Sequence, residues 1–228
     1  MRRVIVVVLL LGALAFGWVK WRGSSRQGLP GGSGPAISKL PIAFANRTFD
    51  PAAPPTDMPP LRRGESAECD STFLSNASVS GESRQTDATH GTLTVTQVRM
   101  ALQLKITIWA PVGATEQVLQ HEDGHRQISE YYYQTADNLA QRIAATYIGK
   151  QVEITGTDLN AASSAMLQQL ADEITGEYDK ELNPESAQLL YDALTDHGRN
   201  DTPVKDAIAT ALRDVKVASA QATTNPGN

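Results

Sequence analysis

An α+β fold, with a small antiparallel sheet leading into a helical C-terminal half, follows from three features of this sequence. Residues 91–109 alternate apolar and polar side chains, the period of a half-buried strand. From about Thr115 onward, apolar residues recur every three to four positions, the period of amphipathic helices. Eight of the twelve prolines crowd between Pro30 and Pro60, which sets an irregular segment ahead of both. At 228 residues, 41% hydrophobic and 20% charged, the chain sustains one sizeable core, so one domain with appendages is expected.

Residues 1–22 read as a signal peptide or membrane anchor. Arg2 and Arg3 precede an apolar run from Val4 to Val19, and Lys20-Trp21-Arg22 follow it. Ala13-Leu14-Ala15 offers a small-x-small cleavage site. Left uncleaved, the run with its flanking Trp18 and Trp21 is just long enough to span a bilayer. Either way the body is expected outside the cytoplasm, in the periplasm or cell envelope. Retained, residues 4–19 would anchor it in the inner membrane. Residues 1–26 hold five basic side chains (Arg2, Arg3, Lys20, Arg22, Arg26) and no acidic one, whereas the whole chain has a formal net charge of −5. The rest therefore carries −10, five units more negative than the total. A body that acidic repels phosphates, so a nucleic-acid partner is not expected.

Residues 23–65 are expected to form a Pro/Gly-rich tether. The stretch from Gly28 to Pro35 holds neither helix nor strand, and Pro51, Pro54-Pro55 and Pro59-Pro60 favour extended chain, with a short strand at Ile42–Phe49. The body, residues 66–200, opens with a strand at Phe73–Ser80. In the next strand Leu93 and Val95 set one phase, and Val98, Met100, Leu102, Leu104, Ile106 and Ile108 resume one position out of step. Such a slip marks a β-bulge near Thr96-Gln97. Pro111 and Gly113 end the strand. A helix is expected over Thr115–Gly149, a second over Thr157–Leu182, and a third capped by Asn183, opened by Pro184 and ending near Gly198. Residues 201–228 should hold a last helix, Pro203–Val217, and a disordered tail from Gln221.

His121-Glu122-Asp123-Gly124-His125 is an H-E-x-x-H pentad inside the first of these helices. Positions i and i+4 share a helix face, so both imidazoles can grip one Zn2+ ion while Glu122 stands beside the water it activates. His121 and His125 also lie on the apolar stripe of Val118, Ile128 and Tyr132, so both are expected to face inward. A catalytic zinc takes three protein ligands. The third is open on spacing alone: His90 and His197 are the other histidines, and Glu173, Glu177, Asp192 and Asp196 are acidic alternatives. Thiolates are excluded, because Cys69 is the single cysteine and reads as a small buried apolar residue.

Val118–Ile128, followed by Tyr191-Asp192-Ala193-Leu194-Thr195-Asp196-His197-Gly198, resembles a bacterial family of predicted secreted zinc-dependent proteases. That family pairs an H-E-x-G-H helix with a downstream Y-D-x-x-T-x-H-G motif, and the resemblance covers roughly Ser71 to Gly198. It implies a zincin-like fold and His197 as the third metal ligand. Asp192 and Thr195, on the same short helix, are placed to orient a ligand through hydrogen bonds. Tyr191 is a candidate donor to the developing oxyanion, with a half-buried core tyrosine as the alternative.

A zinc metallopeptidase acting on a peptide or protein substrate is therefore expected, with Glu122 as general base. The alternative is an exported zinc-binding or scaffolding module without turnover. The strand Val98–Trp109 is expected to pair with an extended substrate if it forms a sheet edge.

Overall fold

The architecture is organised by one strand, β4, which runs unbroken from His90 to Pro111. The computed structural model describes residues 34–61 and 64–224, so the expected signal or anchor segment and the first part of the tether lie outside the described residues. Elements follow the order β1 (Ala36–Lys39), β2 (Ala43–Phe49), β3 (Glu68–Gln85), β4, α1 (Glu116–Gln134), α2 (Ala136–Tyr147), β5 (Gln151–Thr155), α3 (Leu159–Glu181), α4 (Glu185–Thr195) and α5 (Val204–Thr224). The fold is α+β, as the periodicities predict. Among the described residues, no helix is long and apolar enough to cross a membrane.

The expected antiparallel sheet is instead mixed. β3 pairs antiparallel with β4 from Glu68↔Trp109 to Gln85↔Gly91. The opposite edge of β4 is shared by three short strands. β5 pairs antiparallel at His90–Thr94, β1 parallel at Arg99–Leu102, and β2 parallel at Lys105–Pro111. β2 is the short strand expected at Ile42–Phe49, whereas β1 arises in the expected tether where proline density argues for irregular chain. Pro35, Pro41 and Pro51 flank these strands rather than interrupt them, so no ladder N–H is lost. Leu40 N even carries the ladder past β1 by donating to Leu102 O at 2.9 Å.

Both edges of β4 are thus occupied, which overturns the expectation that Val98–Trp109 is free to bind substrate. Among the described residues, the outer edges of the sheet belong to β3 on one side and to β1, β2 and β5 on the other. The bulge falls where the phase slip puts it: Ser80 pairs with Gln97 and Gly81 with Val95, leaving Thr96 as the extra residue. The slip lets Leu93 and Val95 on one side of it, and Val98, Met100, Leu102, Leu104, Ile106 and Ile108 on the other, all be buried.

The expected helix over Thr115–Gly149 is two. Gln134 O, a carbonyl near the end of α1, accepts from Lys39 Nζ at 2.8 Å, and the same ammonium pairs with Asp137. Thr135 between them leaves helical geometry at ψ 7°. The apolar stripe runs on into α2, so the main core joins β4 to Tyr133, Ala140 and Ile143 and to Leu170, Ile174 and Tyr178 of α3. A second cluster joins α1, α4 and α5 through Ile128, Ala187, Tyr191, Ala207 and Ala211. Its alanines let three helices approach closely, and that approach sets α4 against the pentad. α5 continues to Thr224, past the expected end at Val217.

Candidate metal centre

α1 starts where Thr115 accepts the Val118 N–H through its hydroxyl, which fixes the phase of the helix. That phase turns His121, Glu122, Gly124, Ile128 and Ser129 inward. Facing them, α4 buries Tyr191, Asp192 and Thr195.

Three donor atoms converge between the helices. His125 Nε2 lies 2.9 Å from Asp192 Oδ1, His121 Nε2 lies 3.4 Å from the same oxygen, and the two Nε2 atoms are 3.2 Å apart. Ligands at about 2.0–2.1 Å from a tetrahedral zinc are about 3.3 Å from one another. The donor set has the size of one coordination face for a small divalent ion, built from two imidazoles and a carboxylate.

Each imidazole is held from behind. Thr195 Oγ1 donates to Tyr191 O at 2.8 Å and lies 3.3 Å from His121 Nδ1, so its oxygen is placed to accept the His121 Nδ1–H. Gln188 Oε1 lies 2.5 Å from His125 Nδ1. Tyr191 stacks on His121, with ring centroids 5.1 Å apart and planes 12° apart, and meets His125 edge-on. A Cβ on Gly124 would lie 2.5 Å from Tyr191 Cζ, so only glycine fits there. Gly198, at φ +73°, passes so close that a Cβ would lie 2.8 Å from His121 Cβ.

Electrostatics set the two carboxylates apart. Burial works against the Asp192 charge, but the His121 and His125 imidazoles beside it outweigh that and hold the carboxyl well below its usual range. Burial acts on Glu122 with little compensation. The His125 charge lowers its pKa, Glu68, Glu65 and Asp192 raise it, and the group is pushed up to about 7. Both open on a cavity of about 230 Å³ whose wall includes Glu65, Glu68, Cys69, Asp70 and Ser71. Burial also pushes the Cys69 thiol up to about 12.

The pentad residues come together as the sequence predicts. Asp192 and His197 are placed otherwise than the resemblance implies. Asp192, expected to orient a ligand, supplies the third converging atom. His197, expected as that ligand, falls in a second group with Glu65 and Asp192, its Nδ1 3.5 Å from Glu65 Oε1 and 3.8 Å from Asp192 Oδ1. The cause is local: α4 stops at Thr195, and Asp196 (φ +47°) and His197 (φ +54°) take left-handed backbone that swings the ring off the face of Asp192. Thr195 does stand behind a histidine, namely His121. Tyr191 is fully buried and its hydroxyl donates to His121 O at 3.2 Å, so it packs the site rather than facing a substrate.

Gln188, Ser129 and Ser71 were not singled out from sequence. A signal for Gln188 was present, since 188, 191, 192 and 195 follow the i, i+3, i+4, i+7 spacing of a single helix face. No protein-family model, curated protein or solved structure matches this chain.

Proposed function

We propose that this chain is a zinc-dependent metallopeptidase, zincin-like in fold, that hydrolyses peptide bonds outside the cytoplasm. The observation that carries the reading is the convergence of His121 Nε2, His125 Nε2 and Asp192 Oδ1 to within 2.9–3.4 Å, with Glu122 adjacent on the same helix. Two imidazoles and a carboxylate are a donor set that suits zinc, and three protein ligands leave a coordination position open. The chemistry zinc supplies there is Lewis acidity, which makes a water acidic near neutral pH and polarises a carbonyl.

The protein's own part falls to Glu122. A carboxyl whose pKa lies near 7 accepts a proton from the attacking water and returns it to the leaving amine at neutral pH. Asp192, held ionised, offsets the positive charge of the ion. The extended substrate pairs with the outer edge of β3, where Glu68–Ser71 line the cavity. Farther along, α3 closes that edge, as Thr175 Oγ1 accepts from Ala77 N at 3.2 Å.

The test is Glu122→Gln. The variant should keep about one zinc per chain while hydrolysis of a fluorogenic peptide mixture falls by about 10²–10⁴-fold. Undiminished turnover, or wild-type protein without stoichiometric zinc, would overturn the proposal. Hydrolysis absent from wild type and variant alike, with zinc bound to both, would leave a metal-binding module instead.

A further inference from the structure

Behind His125 lies a hydrogen-bond chain that no part of the reaction above uses. Gln188 Nε2 lies 3.1 Å from His125 O and 3.0 Å from Ser129 Oγ, and Ser129 Oγ donates in turn to Ser71 Oγ at 2.9 Å. A backbone carbonyl only accepts, so the Gln188 atom facing His125 O must be the amide NH2. The orientation of the amide follows, and Gln188 Oε1 must face His125 Nδ1, 2.5 Å away. A carbonyl oxygen also only accepts. His125 Nδ1 therefore carries the hydrogen, and in the neutral ring the lone pair sits on Nε2, the atom turned toward Asp192 and His121.

We propose that Gln188 is a positioning residue that selects the metal-binding tautomer of His125. Without it, the neutral ring has a competing arrangement, because Asp192 Oδ1 at 2.9 Å accepts a hydrogen from Nε2 and so blocks the ligand atom. Gln188 removes that competitor. Its own orientation is locked at both ends, by the α1 backbone and by the Ser129–Ser71 pair that ties α1 to β3. The inference deepens the zinc reading and rests on it for the consequence in metal affinity, though not for the tautomer.

The experiment uses the full chain, as wild type, Gln188→Leu and Gln188→Glu, with two readouts. The first is the His125 Nδ1–H resonance in ¹⁵N-labelled, metal-free protein, held at a pH high enough that the ring is neutral, since against the effect of burial Asp192 raises its pKa. It should be present in wild type and Gln188→Glu and absent in Gln188→Leu. The second is zinc affinity by chelator competition. Gln188→Leu should bind 10–100-fold more weakly, and Gln188→Glu, which keeps an acceptor at Nδ1 but loses the donor to His125 O, less weakly than Gln188→Leu. If Gln188→Leu keeps both the resonance and wild-type zinc affinity, the proposal is overturned. Should Gln188→Leu fail to fold, Gln188→Glu decides alone, and loss of the resonance there overturns it. Wild-type protein that binds no zinc but shows the resonance change would sink the peptidase reading and leave the tautomer assignment standing.

Discussion

Gly124 and Tyr191 occupy one another's space: the tyrosine ring fills the volume in which any other residue at 124 would carry its Cβ. The ring lies flat against His121 and donates its hydroxyl to the His121 carbonyl. The fourth residue of the pentad is thus fixed by packing, and the packing in turn fixes the His121 ring.

Gly124→Ala should therefore act on stability and metal together. Overpacking of this kind costs about 1–3 kcal/mol. Displacing Tyr191 frees the His121 ring, so zinc affinity should fall as well, by about tenfold or more. Thermal denaturation and chelator competition read the two effects. A variant with unchanged melting temperature and unchanged affinity would contradict the contact.

Asp192 and His197 are separable by substitution. Asp192→Ala removes one of the three converging atoms and should reduce zinc affinity by more than about a hundredfold. His197→Ala should stay within about tenfold of wild type, because His197 Nδ1 touches the donor set only through Asp192, at 3.8 Å. Metal content after dialysis against a weak chelator distinguishes them, and the reverse ranking would restore His197 as a direct ligand.

Glu122 gives the metal-free protein a pH dependence with a definite sign. Its folded pKa, about 7, lies above the ordinary value of 4.5. A raised pKa contributes stability that is fully present below about 4.5 and is lost as pH rises through about 7. Glu122→Gln cannot ionise and should lack this loss. At pH 8 the metal-free variant should exceed metal-free wild type by up to about 3 kcal/mol, whereas at pH 4 the two should be close. Urea denaturation at both pH values measures it. A variant less stable than wild type at pH 8 would show that Glu122 is held ionised.

The Cys69 thiol lines the cavity yet should be inert. With its pKa pushed up to about 12, its thiolate at pH 8 is roughly a thousandfold scarcer than that of an ordinary cysteine. Iodoacetamide should label the folded protein slower by about that factor and the urea-denatured chain at the usual rate. Comparable rates in the two states would refute the burial of Sγ.

What could be read from the sequence depended on whether a residue's local pattern decided its fate. The phase slip at Thr96-Gln97 located a real bulge, because one face of β4 is buried along its whole length and alternation has no slack. Thr115 and Pro184 marked helix starts through chemistry that acts within one turn. β1 and β5 carried no such signal. Ala36–Lys39 and Gln151–Thr155 are short, and they are strands because β4 offers them an edge. The break at Thr135 was masked by an apolar stripe that continues across it. At the site, the pentad announced itself, since one helix fixes all its geometry. Choosing between Asp192 and His197 required knowing that α4 ends at Thr195. A single further helical turn would have kept His197 on the helix.

The dependence of β1 and β2 on β4 bears on how the molecule can be divided. A fragment beginning at residue 66 would keep every residue of the metal centre except Glu65 of the neighbouring group, and would still be damaged. It would expose the β4 backbone at Arg99–Leu102 and Lys105–Pro111, a long hydrophobic ribbon with open amides and carbonyls. Such a fragment is prone to self-associate through that ribbon. Soluble material calls for boundaries drawn ahead of Ala36, inside the proline-rich stretch rather than after it.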